Sequence, residues 1–240
     1  MRERIQGDRY DSPGSSPRLV REFLLLGSRW SPYSAFFGVM FRSRALALRN
    51  EYDDEAWSDS SIEVLHLLER CGARFHISGL DNLRKLQGPV VFVGNHMSTF
   101  ETVILPGLIN PIRPCTSVVK EKLMKGHIWG PIMRSRDPIP VTRKDARKDL
   151  DAVMTQGVAL LANGRSIIIL PQGTRKNICN GADMNSLGVK LAARAAVPVV
   201  PVAVKTDYWG NSPVFRGFGP VHRARPVYIE FGTALSVDGG

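Results

Sequence analysis

The stretch Pro89 to Glu101, PVVFVGNHMSTFE, constrains the fold more than any other part of the chain. Pro89 to Val93 is short, β-branched and uninterrupted, the pattern of a strand buried on both faces in a parallel sheet. Gly94 lets the backbone turn, and Ser98 and Glu101 have the S-x-x-E spacing of a helix start. The predicted order is strand, tight turn, helix. In an open α/β sheet such a junction lies at the carboxyl edge of the strands, where ligands bind.

His96 and Glu101 are five residues apart, and helical neighbours are three or four apart. The spacing therefore puts His96 ahead of the helix and Glu101 in its first turn. From there the carboxylate reaches back to one imidazole nitrogen and leaves the other free as a base. The plainer alternative is that Glu101 completes a capping box with Ser98 and that His96 is an ordinary loop histidine.

The remaining pattern extends the α/β reading. Residues 1–17 are polar and rich in Ser, Pro and Gly, and are predicted to form a mobile tail. Residues 18–50 hold two apolar stretches of helical length, broken at Ser31-Pro32 and studded with Arg18, Arg21, Arg29, Arg42, Arg44 and Arg49. They read as an amphipathic helical hairpin lying in a lipid interface, or else as padding on the main domain. Residues 51–240 form that domain.

Within it, Ile62–Arg70 is an amphipathic helix, Ala73–Ser78 a strand and Gly79–Leu83 a turn. Cys115–Val119, Ile139–Val141, Ser166–Leu170, Val197–Val204 and Arg225–Phe231 read as further strands. Lys144–Ala162, closed by Asn163-Gly164, and Asn185–Ala196 read as helices. The predicted fold is a mostly parallel mixed sheet flanked by helices.

A formal net charge of +10 over 240 residues implies anionic company: nucleic acid, an acidic membrane surface or phosphorylated substrates. Cys71, Cys115 and Cys179 have no C-x-x-C spacing, and an odd number argues for a reducing compartment. No run approaches the roughly 18 apolar residues of a spanning helix. Metalloprotease, P-loop and G-x-S-x-G signatures are absent.

Three further sites carry charge or shape. Arg143 ends the short strand at Ile139–Val141 and could clamp a phosphate. The loop Pro171-Gln172-Gly173-Thr174-Arg175-Lys176 follows a buried strand and combines a permissive glycine with cations, as an anion cradle does. Val197–Val202, VPVVPV, sets two prolines in an apolar strand, which points to an edge or a broken ladder.

Taken together, NHMSTFE at 95–101, Gly130 with the V-T-R ending at Arg143, PQGTR at 171–175 and VPVVPV at 197–202 resemble the four ordered blocks of the glycerophospholipid acyltransferases. The 1-acylglycerol-3-phosphate acyltransferases are the members most similar, and the resemblance runs from about Gly79 to Phe231. It implies that His96 and Glu101 are the catalytic pair and that Asn95, Arg143, Gln172, Gly173, Thr174 and Arg175 bind substrate. The family's first block usually ends in Asp and its third begins with Glu, so Glu101 and Gln172 are departures.

The implied reaction moves a fatty acyl group from an acyl thioester, acyl-CoA or acyl-ACP, to the free hydroxyl of a lysophospholipid, here 1-acylglycerol-3-phosphate. No metal or bound cofactor is implied. The implied setting is the anionic cytoplasmic face of the cell membrane, with acyl carrier protein as a further partner and no nucleic acid. Another acceptor, such as lyso-ornithine lipid, is a rival within the enzymes. A non-catalytic basic membrane-binding protein is the rival from another class.

Overall fold

The computed structural model describes residues 5–14, 18, 28, 30–212 and 217–237. Among the described residues, eight strands form one sheet: β1 (Tyr10–Asp11), β2 (Phe75–Ser78), β3 (Val91–Gly94), β4 (Cys115–Lys120), β5 (Ile139–Val141), β6 (Ser166–Ile169), β7 (Val199–Lys205) and β8 (Val227–Phe231). Their order across the sheet is β1-β2-β8-β7-β3-β6-β4-β5. Only the β1–β2 and β7–β8 pairs are antiparallel. The mixed, mostly parallel sheet expected from the sequence is present.

Alternation along the central strands divides the core in two. Phe92, Ile168 and Val200 face one side. Val91, Ile167, Ile169 and Val199 face the other. All four residues of β6 are buried, as in a strand covered on both faces.

On the first side lie α1 (Trp30–Leu48), α2 (Asp54–Glu69), the short α3 (Leu80–Arg84), α4 (Glu101–Ile109) and, after the exposed single turn α5 (Glu121–Met124), α6 (Trp129–Arg134). On the second lie α7 (Ala146–Ala162) and α8 (Leu187–Ala195). Asp53 and Asp145 cap α2 and α7 by accepting backbone N–H groups of the first turn, each worth about 1 kcal/mol. Gly164, at φ 80°, closes the far end of α7 where the Asn-Gly pair predicted it.

The structure adds to the sequence expectations, or departs from them, at several points. Part of the expected mobile tail is an edge strand: Tyr10 and Asp11 pair with Ile77 and His76, and the Tyr10 hydroxyl donates to Glu69 at 2.7 Å. This strap covers the open edge of β2, which a sheet otherwise leaves as a row of unpaired backbone groups.

Ser31-Pro32 is itself part of a helix. It sits in the first turn of α1, where proline's missing N–H costs nothing. The stretch 19–27 that would form the hairpin's other arm lies outside the described residues. Tyr33, Phe36, Val39 and Met40 of α1 enter the same core as the sheet. The outward side of α1 carries Trp30, Phe41 and Leu48, which are 61%, 54% and 55% exposed.

Gly79–Leu83 is the entry to α3, and Gly79 itself adopts φ 79°. A Cβ there would overlap the Phe231 carbonyl oxygen. Gly79→Ala is therefore expected to lower stability by roughly 1–3 kcal/mol, read as a shift in the urea midpoint with an unchanged slope.

β7 is a central strand with a broken ladder, the second of the two arrangements its prolines suggested. The ladder to β8 ends at Val202–Phe231, so the amide that Pro201 lacks falls where that pairing stops. The chain then bulges past Pro201, with Gly232 N–H donating to its carbonyl at 2.9 Å, and closes again at Leu235.

Candidate active site

β7, β3 and β6 lie side by side and run parallel, so their carboxyl ends share one edge. Residues 95–101 leave β3 there, residues 170–176 leave β6, and Thr206 follows β7. β5 ends at the same edge two strands beyond β6 and delivers Arg143.

His96 Nδ1 lies 2.8 Å from Glu101 Oε1. Glu101 is the first residue of α4 and His96 precedes the helix, the placement the five-residue spacing requires. Glu101 is completely buried. Its carboxylate also faces the N–H groups of Met97 and Ser98 and the hydroxyls of Ser98 and Thr206, at 2.7–3.1 Å. Burial alone would raise its pKa. The hydrogen bond and charge of His96, then the Thr206 and Ser98 hydroxyls, outweigh burial and hold the carboxyl below its usual value.

An ionised carboxylate only accepts, so Nδ1 carries a proton, and in the neutral ring Nε2 presents its lone pair. Nε2 meets no partner among the described residues. The imidazole keeps 11% exposure, enough for an edge to reach solvent.

Half of the expected capping box is also present. Glu101 reaches back to Ser98 N–H, while the Ser98 hydroxyl accepts from Phe100 N–H at 3.0 Å and caps no helical turn. The two readings of Glu101 are thus not exclusive: one carboxylate orders the turn and orients the ring.

The loop after β6 clamps the His96 backbone from both sides. His96 N–H donates to the Gln172 carbonyl oxygen, and the His96 carbonyl accepts from Lys176 N–H at 2.9 Å. Just beyond, Lys176, Asn177, Ile178, Asn180 and Asp183 line a cavity of about 390 Å³.

The predicted binding residues do not all play one part. Asn95 is taken up structurally: its amide donates to the Val204 carbonyl at 2.8 Å and accepts from Val204 N–H at 2.7 Å, replacing a missing ladder rung between β3 and β7. This pairing gives Asn95 a structural role, and its amide keeps one N–H and one lone pair beyond it.

Arg143 adopts φ 59°, held by Asp149, which accepts from the backbone N–H groups of Thr142 and Arg143. Its guanidinium crosses to the Gly173 carbonyl, joining the β5 and β6 loops. Gly173, at φ 69°, and Thr174 are exposed.

Arg175 is half-buried, and its Nε is buried without a hydrogen-bond partner. Burial pulls its pKa below the ordinary arginine value, while the Glu101 charge opposes that and the Arg143 charge adds to it. Arg143, Arg175 and the His96–Glu101 pair therefore share one region. Sequence reasoning missed Thr206, whose only signal was a hydroxyl directly after an apolar strand. Among the described residues, no cluster of His, Cys, Asp and Glu suits a metal ion.

Comparison with known proteins agrees with this geometry. A family model described as Acyltransferase matches residues 74–205. The 1-acyl-sn-glycerol-3-phosphate acyltransferase of Pseudomonas aeruginosa is 28% identical over 226 residues, 92% of this chain and 82% of that protein. A 1-acyl-sn-glycerol-3-phosphate acyltransferase of Chlamydomonas reinhardtii is 31% identical over 128 residues, which cover 53% of this chain and 37% of the relative. The crystal structure of the 1-acyl-sn-glycerophosphate acyltransferase PlsC from Thermotoga maritima shares the fold, with a TM-score of 0.60 over 92% of this chain and 88% of that one at 20% identity. The chain belongs to the acyltransferase family, within the glycerophospholipid group, and is an O-acyltransferase.

Proposed function

We propose that this enzyme transfers a fatty acyl group from an acyl thioester, acyl-CoA or acyl-ACP, to the free hydroxyl of 1-acylglycerol-3-phosphate, giving phosphatidic acid. The observation that carries the reading is the unpartnered Nε2 of His96, oriented through Nδ1 by buried Glu101 and set beside two arginines. Nε2 takes the hydroxyl proton as the acceptor oxygen attacks the thioester carbon. Glu101 stabilises the imidazolium. Collapse of the tetrahedral intermediate breaks the C–S bond, and the departing thiolate takes the proton back from His96.

Arg143 and Arg175 hold the acceptor's phosphate. Arg175→Ala is expected to raise the acceptor KM about tenfold or more, with a smaller effect on kcat; an unchanged KM would place the phosphate elsewhere. The matching relatives bear names that specify this acceptor, which supports the same choice.

Gln172 supports a second acceptor. It replaces a charged residue of the family pattern, which opens the site to another lysolipid such as lyso-ornithine lipid. Thiol release from acyl-CoA and acyl-ACP, measured against lysolipids with and without a phosphate monoester, tests both readings. Turnover only with the phosphate-free lipid would overturn the first, and no release with any acceptor would overturn both.

The exposed Trp30, Phe41 and Leu48 of α1, flanked by Arg42, Arg44 and Arg49, support contact with an anionic membrane surface at the cytoplasmic face. No described helix is long and apolar enough to cross a membrane.

A further inference from the structure

Gln172 is 6% exposed, and its amide nitrogen Nε2 is buried with no hydrogen-bond partner. Its carbonyl oxygen accepts from His96 N–H. That bond decides which way the amide faces, because the reverse orientation would press two donors together. The –NH2 group therefore lies no farther from the His96 backbone than one hydrogen bond and the width of an amide. A buried donor left unmatched costs about 1–3 kcal/mol, so an acceptor that arrives only during the reaction is the natural partner. The next peptide N–H along, that of Gly173, also lacks an acceptor among the described residues.

We propose that Gln172 Nε2, with Gly173 N–H, receives the oxyanion that forms on the thioester carbonyl, which makes Gln172 a catalytic residue of this acyltransferase. The inference rests on the acyl-transfer reading above. As the acceptor oxygen bonds to the carbonyl carbon, the π pair moves onto the carbonyl oxygen and the negative charge meets these neutral donors. When that pair returns, the C–S bond breaks and the charge leaves with the thiolate.

The acceptor's phosphate is the weaker match for this amide. Arg143 and Arg175 already offer full positive charge toward the rim, whereas Gln172 is neutral, buried and tied to the peptide of the base itself. The reacting carbon must come to that base. Pre-aimed donors in a place sheltered from water stabilise a developing oxyanion without reorganising. A carboxylate at 172 would set a negative charge against it. The usual family residue and Gln172 thus present opposite hydrogen-bonding ends to the same spot.

The test is Gln172→Glu, which keeps an oxygen for His96 N–H and changes only the free end, with Gln172→Ala as a second variant. The wild type is first run on a panel of acyl-CoA and acyl-ACP donors with 1-acylglycerol-3-phosphate. Both variants are then run on its best pair. The expected result is a fall in kcat of about a hundredfold to a thousandfold, with both KM values within about twofold. For Gln172→Glu the deficit should deepen as pH rises, because a protonated carboxyl still donates and an ionised one does not.

A raised acceptor KM with kcat intact would make the amide a ground-state contact and overturn the proposal. Unchanged kinetics would overturn it too. A deficit that recovers at high pH would assign the effect to charge acting through His96, with the same consequence. If the wild type itself consumes no thioester with any donor, the acyl-transfer reading fails first, and the oxyanion role with it.

Discussion

His96→Ala is expected to lower thioester-dependent acylation by about a hundredfold to ten-thousandfold, the span of general-base assistance. The fold should survive. Glu101 keeps four of its donor groups without the imidazole, namely the N–H groups of Met97 and Ser98 and the hydroxyls of Ser98 and Thr206. One lost hydrogen bond costs about 1 kcal/mol. Far-ultraviolet circular dichroism and a denaturant midpoint check the fold, and single-turnover acylation checks the chemistry. Near-normal turnover in a folded variant would remove His96 from the mechanism.

Glu101→Ala should do more damage, because activity and stability fail together. It strands the His96 ring, two peptide N–H groups and two hydroxyls around a fully buried hole. Removing one side of a buried charged network costs on the order of 3–5 kcal/mol. The pH dependence has a definite sign. The folded-state pKa of Glu101 is depressed, so its contribution to stability is complete above the unfolded carboxyl value and is lost as pH falls through the folded one. The stability gap between wild type and Glu101→Ala should therefore narrow on acidification. A gap that stayed constant or widened would mean that the carboxylate is not what the network stabilises.

Much of the scaffold was legible because its signals are local. The runs in β3 and β6 are short, β-branched and unbroken, and only a strand covered on both sides satisfies them. The Gly164 end of α7 is likewise written within a turn of the residues it stops. The His96–Glu101 geometry follows from counting five residues against the helical repeat.

Other features depended on partners distant in the chain. Asn95 ties β3 to β7 through Val204, 109 positions away, and no residue near it in the chain announces that pairing. Thr206 was silent in the sequence and closes the Glu101 network from a neighbouring strand. Pro201 left both an edge and a broken ladder open, and the bulge at Gly232 that admits it to a central strand belongs to another segment. Tyr10–Asp11 read as tail since nothing near it shows that β2 lacks a neighbour on that side.

From the amino-acid order alone came the α/β class, the strand-turn-helix carrying the base, and its carboxylate partner, since each is set by periodicity and by contacts within five residues. Folding in three dimensions decided which strand ends meet, which amide pairs with a neighbouring strand and which is left open at Gln172, and where the arginines gather. Those outcomes depend on pairing between segments tens of residues apart, and backbone register is a property of the assembled sheet.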